Sequence, residues 1–173
     1  MPVIAKPGSD EHIAYFSRYI DRSGDDAFAA LTTQIGDTTR RLTGLTEAQA
    51  AHRYAPDKWS VKQVILHLAD TERVFAYRAL RFARADMTDL PGYDENAWAP
   101  ESGADDRPFA SLLSEFALVR AATLALFSGM SDEALMRRGR ANGNPLSVRA
   151  VAHILAGHEV HHMALLRERY GVG

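Results

Sequence analysis

The chain of 173 residues contains no cysteine and only three lysines, and no uninterrupted apolar run approaches the length of a bilayer span. Without cysteine it forms no disulfide, thiolate metal site, iron–sulfur cluster or cysteine nucleophile. The short apolar runs predict no membrane-spanning segment, and the first residues lack the apolar stretch of a signal peptide. We therefore expect one soluble, cytoplasmic domain covering residues 1–173.

A strong charge of either sign is also absent. The net charge of −2 gives the chain no general attraction to nucleic acid or to an anionic membrane, so we expect neither as a partner. Alanine outnumbers valine and isoleucine combined, which favours helix over sheet. The partner that this composition leaves is a small molecule.

Four long segments repeat apolar side chains at spacings of three and four, the pattern of an amphipathic helix. They run from Phe28 to Leu42, from Ser60 to about Ala85, from Phe109 to Gly129 and from Ser147 to Gly171. A shorter helix is expected over Glu11–Arg22. Four such helices predict an all-α fold, a four-helix bundle.

The connections between these helices differ in length, and the longest shapes the expected topology. Asp86–Arg107 carries proline and glycine and is long enough to cross the bundle. The segment Asn142–Pro145 is a cluster of turn-forming residues. We therefore expect a bundle with a long crossover connection rather than a simple up-and-down arrangement.

Histidines stand at three positions of the helical seams where apolar residues are expected. His158 and His162 are four residues apart and lie on one face of the last helix, while His67 lies on the seam of the second. If these two helices are antiparallel, His67 and His162 lie about 10 and 12 Å from the same end of the bundle. Three inward imidazoles then form three corners of a metal site and leave positions for water or substrate.

The alternative for each of these histidines is a hydrogen-bonded residue of the core, which would need its own polar partner. Four further histidines stay outside the predicted ligand set. His161 lies beside the seam, His153 points away from it, and His12 and His52 have no matching partners.

The string from His158 to His162 also matches the H-E-x-x-H motif of zinc proteases. That class needs a third ligand downstream, and Glu168 is the single acidic residue after His162. The third ligand is therefore expected upstream, at His67. Glu159 is a candidate catalytic base for a water on the metal, and the alternative is an ordinary solvated carboxylate.

Two stretches of the chain resemble the DinB/YfiT-like superfamily of metal-dependent enzymes. One is Trp59–Glu72, in which a tryptophan–serine helix cap precedes the seam histidine, and the other is Gly157–His162. Tyr77–Arg84 and Leu90–Asn96 resemble one subgroup of that superfamily. The resemblance extends from about Tyr15 to Tyr170.

The resemblance implies a four-helix bundle, commonly dimeric, with a divalent metal on His67, His158 and His162. Superfamily activities include hydrolases and transferases that use low-molecular-weight thiols. Here a thiol would be a small cosubstrate, because the chain has no cysteine. Zinc, nickel and iron all suit three imidazoles. Further apolar side chains on the third helix also favour a homodimer, namely Leu113, Leu118, Leu124 and Phe127.

Two polar groups near the predicted site allow two interpretations each. Arg78, Arg81 and Arg84 recur every three residues, which suits either an anionic ligand or, more simply, a solvated face paired with acids. The loop residues Asp94, Glu95 and Asn96 either cover the site or stabilise turns.

The leading function is a metal-dependent hydrolase or thiol transferase acting on a small molecule. One alternative is a non-catalytic metal-binding, ligand-binding or sensor protein. A third, a nucleic-acid partner in damage responses, is disfavoured by the charge balance.

Overall fold

The computed structural model of the chain describes residues 2–172 and contains a bundle of four long helices. These are α2 (Ala27–Leu42), α4 (Val61–Ala83), α6 (Phe109–Ser128) and α8 (Val148–Tyr170). The shorter helices are α1 (Ala14–Ile20), α3 (Glu47–Ala50), α5 (Glu95–Glu101) and α7 (Asp132–Met136), with 3₁₀ turns at Ser9–Glu11 and Ala104–Asp106. The predicted four-helix bundle is confirmed.

Side-chain caps explain where three of the long helices begin. Asp26 accepts hydrogen bonds from the first turn of α2, and Ser60 and Gln63 form a capping box at the start of α4. Ser147 caps α8, which ends at Gly171 in the left-handed conformation that glycine tolerates. The short N-terminal helix begins at Ala14 rather than at the predicted Glu11.

Contacts at the helix ends establish the topology. The Tyr170 hydroxyl at the end of α8 donates to the carbonyl of Trp59 just before α4 (2.7 Å), so these two helices are antiparallel. Lys62 at the start of α4 donates to the carbonyl of Arg107 just before α6 (2.7 Å), so α4 and α6 are parallel. Residues 84–108 therefore return along the length of the bundle, as expected of the crossover.

A small three-stranded sheet accompanies the helices, and the sequence analysis had expected only a turn there. Its strands are β1 (Asp89–Leu90), β2 (Arg138–Ala141) and β3 (Asn144–Ser147), with β1 parallel to β2 and β2 antiparallel to β3. Asn142 and Gly143 both have positive φ and form the tight turn between β2 and β3. Asn-Gly is a strong signal for such a hairpin, and it stands in the sequence.

By length and composition alone, α6 is apolar enough to cross a membrane. Glu115 and Arg120 interrupt its apolar sequence, so the helix contains no long uninterrupted apolar run. It packs against α4 and α2 in the bundle, yet only about a third of the residues in its most apolar stretch are buried. An apolar surface therefore remains exposed along α6.

A buried ionic cluster lies where the four long helices meet. Arg120 of α6 is 1% exposed and lies 2.8 Å from carboxylate oxygens of both Glu72 of α4 and Glu159 of α8. Its guanidinium also donates to the carbonyl of Leu31 in α2 (3.1 Å), and Thr38 of α2 donates to Glu159 (2.6 Å). One arginine thus connects all four long helices.

Replacing Arg120 with methionine should lower the free energy of unfolding by about 3–5 kcal/mol, because two buried carboxylates lose their counter-charge. The control is Arg73→Met, which removes a half-exposed arginine from its pairs with Asp70 and Glu115 and should cost less than about 1 kcal/mol. Urea denaturation measures both values. Equal losses in the two variants would contradict a structural role for the buried cluster.

Candidate metal centre

The structure brings together the three histidines that the sequence analysis selected. Nε2 of His158 lies 3.1 Å from Nε2 of His67 and 3.0 Å from Nε2 of His162. One nitrogen from each ring lies within 4.8 Å of the others, and this is the group of potential ligands found in residues 2–172. The third imidazole of the cluster, His67, thus lies upstream in α4, where the third ligand was expected.

The protons and lone pairs available on these nitrogens, rather than their spacing, favour a metal ion over a set of hydrogen bonds. A tetrahedral ion bound at about 2.0–2.1 Å holds its nitrogen ligands roughly 3.3 Å apart. A neutral imidazole nitrogen carries one proton or one lone pair, so Nε2 of His158 completes only one ordinary hydrogen bond to its two neighbours. A cation facing three lone pairs removes this conflict.

The protonation state of the three histidines also suits metal binding. Burial lowers the pKa of His67 to about 4. Burial, and then the neighbouring imidazoles, hold the pKa values of His158 and His162 well below the ordinary range. All three rings are therefore neutral at pH 7, which is the form that binds metals.

Polar and aromatic neighbours orient the rings. Thr71, one turn after His67, lies 3.4 Å from Nδ1 of that ring and 2.9 Å from the Tyr93 hydroxyl. A proton on Nδ1 of His67 directs its Nε2 lone pair into the cluster. Trp59 packs on the His67 ring at 4.8 Å between centroids, so it contacts a candidate ligand as well as anchoring the helix start. Thr71 is not among the residues that the sequence analysis selected.

The close approach of α1 to α8 places Tyr19 against the cluster. Gly157 directly precedes His158 on α8, and a Cβ there would lie 1.8 Å from the Tyr19 carbonyl oxygen. The Tyr19 ring meets the His158 ring edge-on, with centroids 5.2 Å apart. A glycine at position 157 is therefore what lets α1 cover this side of the site.

The structure does not bring Glu159 to the three histidines. One residue after His158 on a helix, its side chain points about 100° away, towards Arg120 and Thr38. It is 1% exposed and lies at a separate groove of about 250 Å³. The expectation that Glu159 acts as a base on a metal-activated water is therefore corrected: its carboxylate belongs to the ionic cluster.

The other histidines have different surroundings. His153 is fully buried, with Nδ1 2.6 Å from the Ser23 hydroxyl and Nε2 2.8 Å from the Ile4 carbonyl, which makes it a hydrogen-bonded core residue. His161 is half-buried beside the cluster and lies 3.5 Å from a nitrogen of Arg22. Nδ1 of His162 is buried and has no hydrogen-bond partner in residues 2–172.

A cavity of about 530 Å³ opens onto the three histidines. Aromatic and aliphatic side chains line it together with polar ones, and Asn142 and Asn144 at the β2–β3 hairpin contribute to its wall. Glu95 and Asn96 also line it, whereas Asp94 caps α5, so both interpretations of that loop hold for different residues. A concave pocket in which aromatic walls surround convergent polar groups is the usual form of a small-molecule site.

The three arginines that recur along α4 also have different surroundings. Arg81 pairs with Asp86 and Arg84 is exposed, as expected of a solvated face. Arg78 departs from that expectation because it is 5% exposed and lines the cavity.

A helical bundle with three convergent imidazoles beside a cavity places the chain in a known class. The sequence profile of the DinB superfamily matches residues 30–166, and the chain belongs to that superfamily.

Two relatives extend this assignment. A protein from Oceanobacillus iheyensis, named a putative metal-dependent hydrolase, is 24% identical over 139 residues, which is 79% of this chain and 77% of the relative. The structure of YfiT from Bacillus subtilis, described as a probable metal-dependent hydrolase with an unusual four-helix bundle topology, aligns with a TM-score of 0.72 at 19% identity. That alignment covers 97% of this chain and 94% of YfiT and shows the shared fold.

The metal-free protein should lose stability as the pH falls from about 6.5 towards 4. In that range the unfolded chain binds protons on histidines that stay neutral in the fold. The free energy of unfolding therefore decreases as the pH is lowered. Each such group contributes a slope of up to about 1.4 kcal/mol per pH unit. Urea denaturation in chelator at several pH values should show a shallower slope for His67→Ala, and an unchanged slope would contradict the buried neutral state.

Proposed function

We propose that His67, His158 and His162 hold a divalent metal ion and that the protein is a metal-dependent enzyme acting on a small molecule. The observation that carries this proposal is the convergence of three neutral Nε2 atoms at 3.0–3.1 Å on one wall of a cavity. Hydrolysis is the leading reaction class, since two relatives of similar length or fold carry that description. Zinc, nickel and iron suit this ligand set.

The metal would supply Lewis acidity that lowers the pKa of a water or thiol reaching it. The residues of the chain supply the rest. Thr71 holds the His67 ring, Tyr19 and Trp59 cover its surroundings, and the cavity walls exclude water from an apolar substrate. Three protein ligands leave coordination positions open, the arrangement found in catalytic rather than structural metal sites.

A thiol-dependent transferase is the second candidate, and the position of Glu159 favours it. With that carboxylate bound by Arg120, the group of potential ligands in residues 2–172 contains imidazoles only, and Glu95 is the one carboxylate residue found to line the cavity there. A thiol has an ordinary pKa near 8.5 and needs less assistance to ionise than water. The thiol would come from a small cosubstrate, because the chain has no cysteine.

We expect turnover in a panel of esters, amides and thiol–electrophile pairs when the protein carries metal, and none after chelation. His67→Ala should bind metal at least 100-fold more weakly and lose turnover, because it removes one of three protein ligands. His161→Ala is the neighbouring control and should keep one metal per chain, with an affinity loss of at most about 10–100-fold. Isothermal titration and product analysis give the two readouts.

The outcomes separate the candidate functions. Metal binding at the three histidines without turnover in any part of the panel would contradict an enzyme and support the metal-binding or sensor alternative. Full metal occupancy in His67→Ala would contradict the site itself. Turnover that requires an added thiol identifies the transferase, and turnover without one identifies the hydrolase.

We also propose that the protein is a homodimer joined through α6. The structure modifies the expected surface, since Leu113 and Phe127 are buried in the core of the bundle while Leu118 is 71% exposed and Leu124 is half-buried. Alanines 121, 122 and 125 are exposed beside them, and small side chains allow two helices to approach closely. A twofold contact between two copies of α6 would bury this apolar surface.

Light scattering at micromolar concentration should give twice the 19.1 kDa mass of one chain. Leu118→Glu should shift the protein to the monomer, because it places a charge in the centre of the proposed interface. Thr33→Glu, on the exposed side of α2, is the matched control and should remain dimeric. A monomeric parent protein would contradict this proposal.

A further inference from the structure

Arg78 lies on the same face of α4 as His67. The two residues are eleven positions apart, which is about three helical turns and about 16 Å along the axis. Arg78 is 5% exposed, and both residues line the same cavity. Because helical side chains lean towards the N-terminus, the guanidinium extends back in the direction of the histidines.

The surroundings of Arg78 leave its charge without a counter-charge. One nitrogen donates to the Pro91 carbonyl (2.8 Å), and the guanidinium carbon lies 4.9 Å from the Phe75 ring centroid and 5.9 Å from that of Tyr93. Among residues 2–172 no carboxylate forms an ion pair with it, whereas the other deeply buried arginine, Arg120, has two.

The remaining donors of Arg78 are open to the cavity. A guanidinium has five N–H donors, and here one carbonyl is the acceptor found within the described part of the chain. The nitrogens of Arg78 are not among the side-chain atoms that are both sealed from solvent and unpaired. The cavity is therefore where a further acceptor would meet them.

Burying a guanidinium without an anion is costly, and here burial lowers the pKa of Arg78. Removing one partner of a buried ion pair is destabilising for the same reason. A bound anion would supply the missing charge. An arginine kept in this state beside a candidate reaction centre is well placed to select a ligand that brings its own negative group.

We propose that Arg78 binds the carboxylate of a small substrate whose reacting bond lies at His67, His158 and His162. This inference rests on the proposed function and specifies its substrate class. The wall between the two ends includes Phe16, Phe75 and Ile154, so the body of the molecule is apolar or aromatic. The carboxylate and the reacting bond are separated by less than the roughly 16 Å between the two positions on the helix.

A carboxylate fits this position better than a phosphate. The planar fork of one arginine matches the two oxygens of a carboxylate, and no second buried cation stands beside it in residues 2–172. Glu95 lines the same cavity and would repel a dianion more strongly than a monoanion. Arg18 also lines the cavity, but it is exposed and stacks on the rings of Tyr15 and Tyr19.

The test compares carboxylates with their neutral amides as ligands. Phenylacetate, 4-phenylbutyrate and 6-phenylhexanoate place one carboxylate at increasing distance from an aromatic body, and the matching primary amides remove only the charge. Isothermal titration is performed on the full chain, both zinc-loaded and chelator-treated. The chelated protein is required because a carboxylate also binds to an open metal position.

At least one carboxylate should bind about 10–100-fold more tightly than its amide in both states, as expected for a charge-assisted hydrogen bond pair. Arg78→Met should abolish this preference and Arg78→Lys should keep only part of it. Arg81→Met, one turn further on and paired with Asp86, is the control and should keep it in full. Circular dichroism melting confirms that each variant is folded.

Two results would overturn the inference. One is an equal affinity for carboxylates and amides throughout the series. The other is a carboxylate preference that survives in Arg78→Met and disappears in Arg18→Met, which would assign the anion to the exposed Arg18. Failure of the proposed function would give a different result. The protein would then bind no metal, while the chelator-treated protein would still prefer carboxylates through Arg78.

Discussion

The contact of Arg120 with Glu72 and Glu159 constrains the rest of this structure, because it fixes how the long helices face one another. Glu72 follows His67 on α4, and Glu159 follows His158 on α8. When both carboxylates turn towards one guanidinium in the bundle, the histidines on both helices turn together towards the cavity. Buried ion pairs often add little net stability, and their better-attested effect is to specify one arrangement. Here that arrangement is the orientation of the candidate metal site.

The two polar layers of the bundle have different chemistry. The ionic cluster pairs the Arg120 guanidinium with two carboxylates, of which Glu159 also accepts a hydrogen bond from Thr38, whereas the three imidazoles are neutral and converge on one another. Arg78 is a third case, a buried cation without an anion. The carboxylates of the first arrangement share a cation of the protein itself, and we propose that a cation and an anion from outside the chain complete the other two. Both of these groups line one cavity, which is why we propose that the function is located there.

Much of the fold and the centre of the site could be predicted from sequence because both depend on helical periodicity. Seam spacing located the four long helices, and histidines in place of seam leucines identified His67, His158 and His162. Periodicity could not show that Glu159 pairs with Arg120, since that contact depends on the rotation of two helices distant in sequence. It also could not distinguish Arg78 from Arg81, because the crossover that buries one and exposes the other has no periodic pattern. The small sheet was missed although Asn142-Gly143 signalled its hairpin.

X-ray absorption of the zinc-loaded protein, purified without a histidine tag, tests the central claim most directly. The account predicts one zinc per chain with three imidazole nitrogens at about 2.0–2.1 Å and at least one light atom from solvent completing the shell. A spectrum showing one imidazole or none, or less than about 0.2 zinc per chain after reloading at neutral pH, would contradict a metal centre at the three histidines.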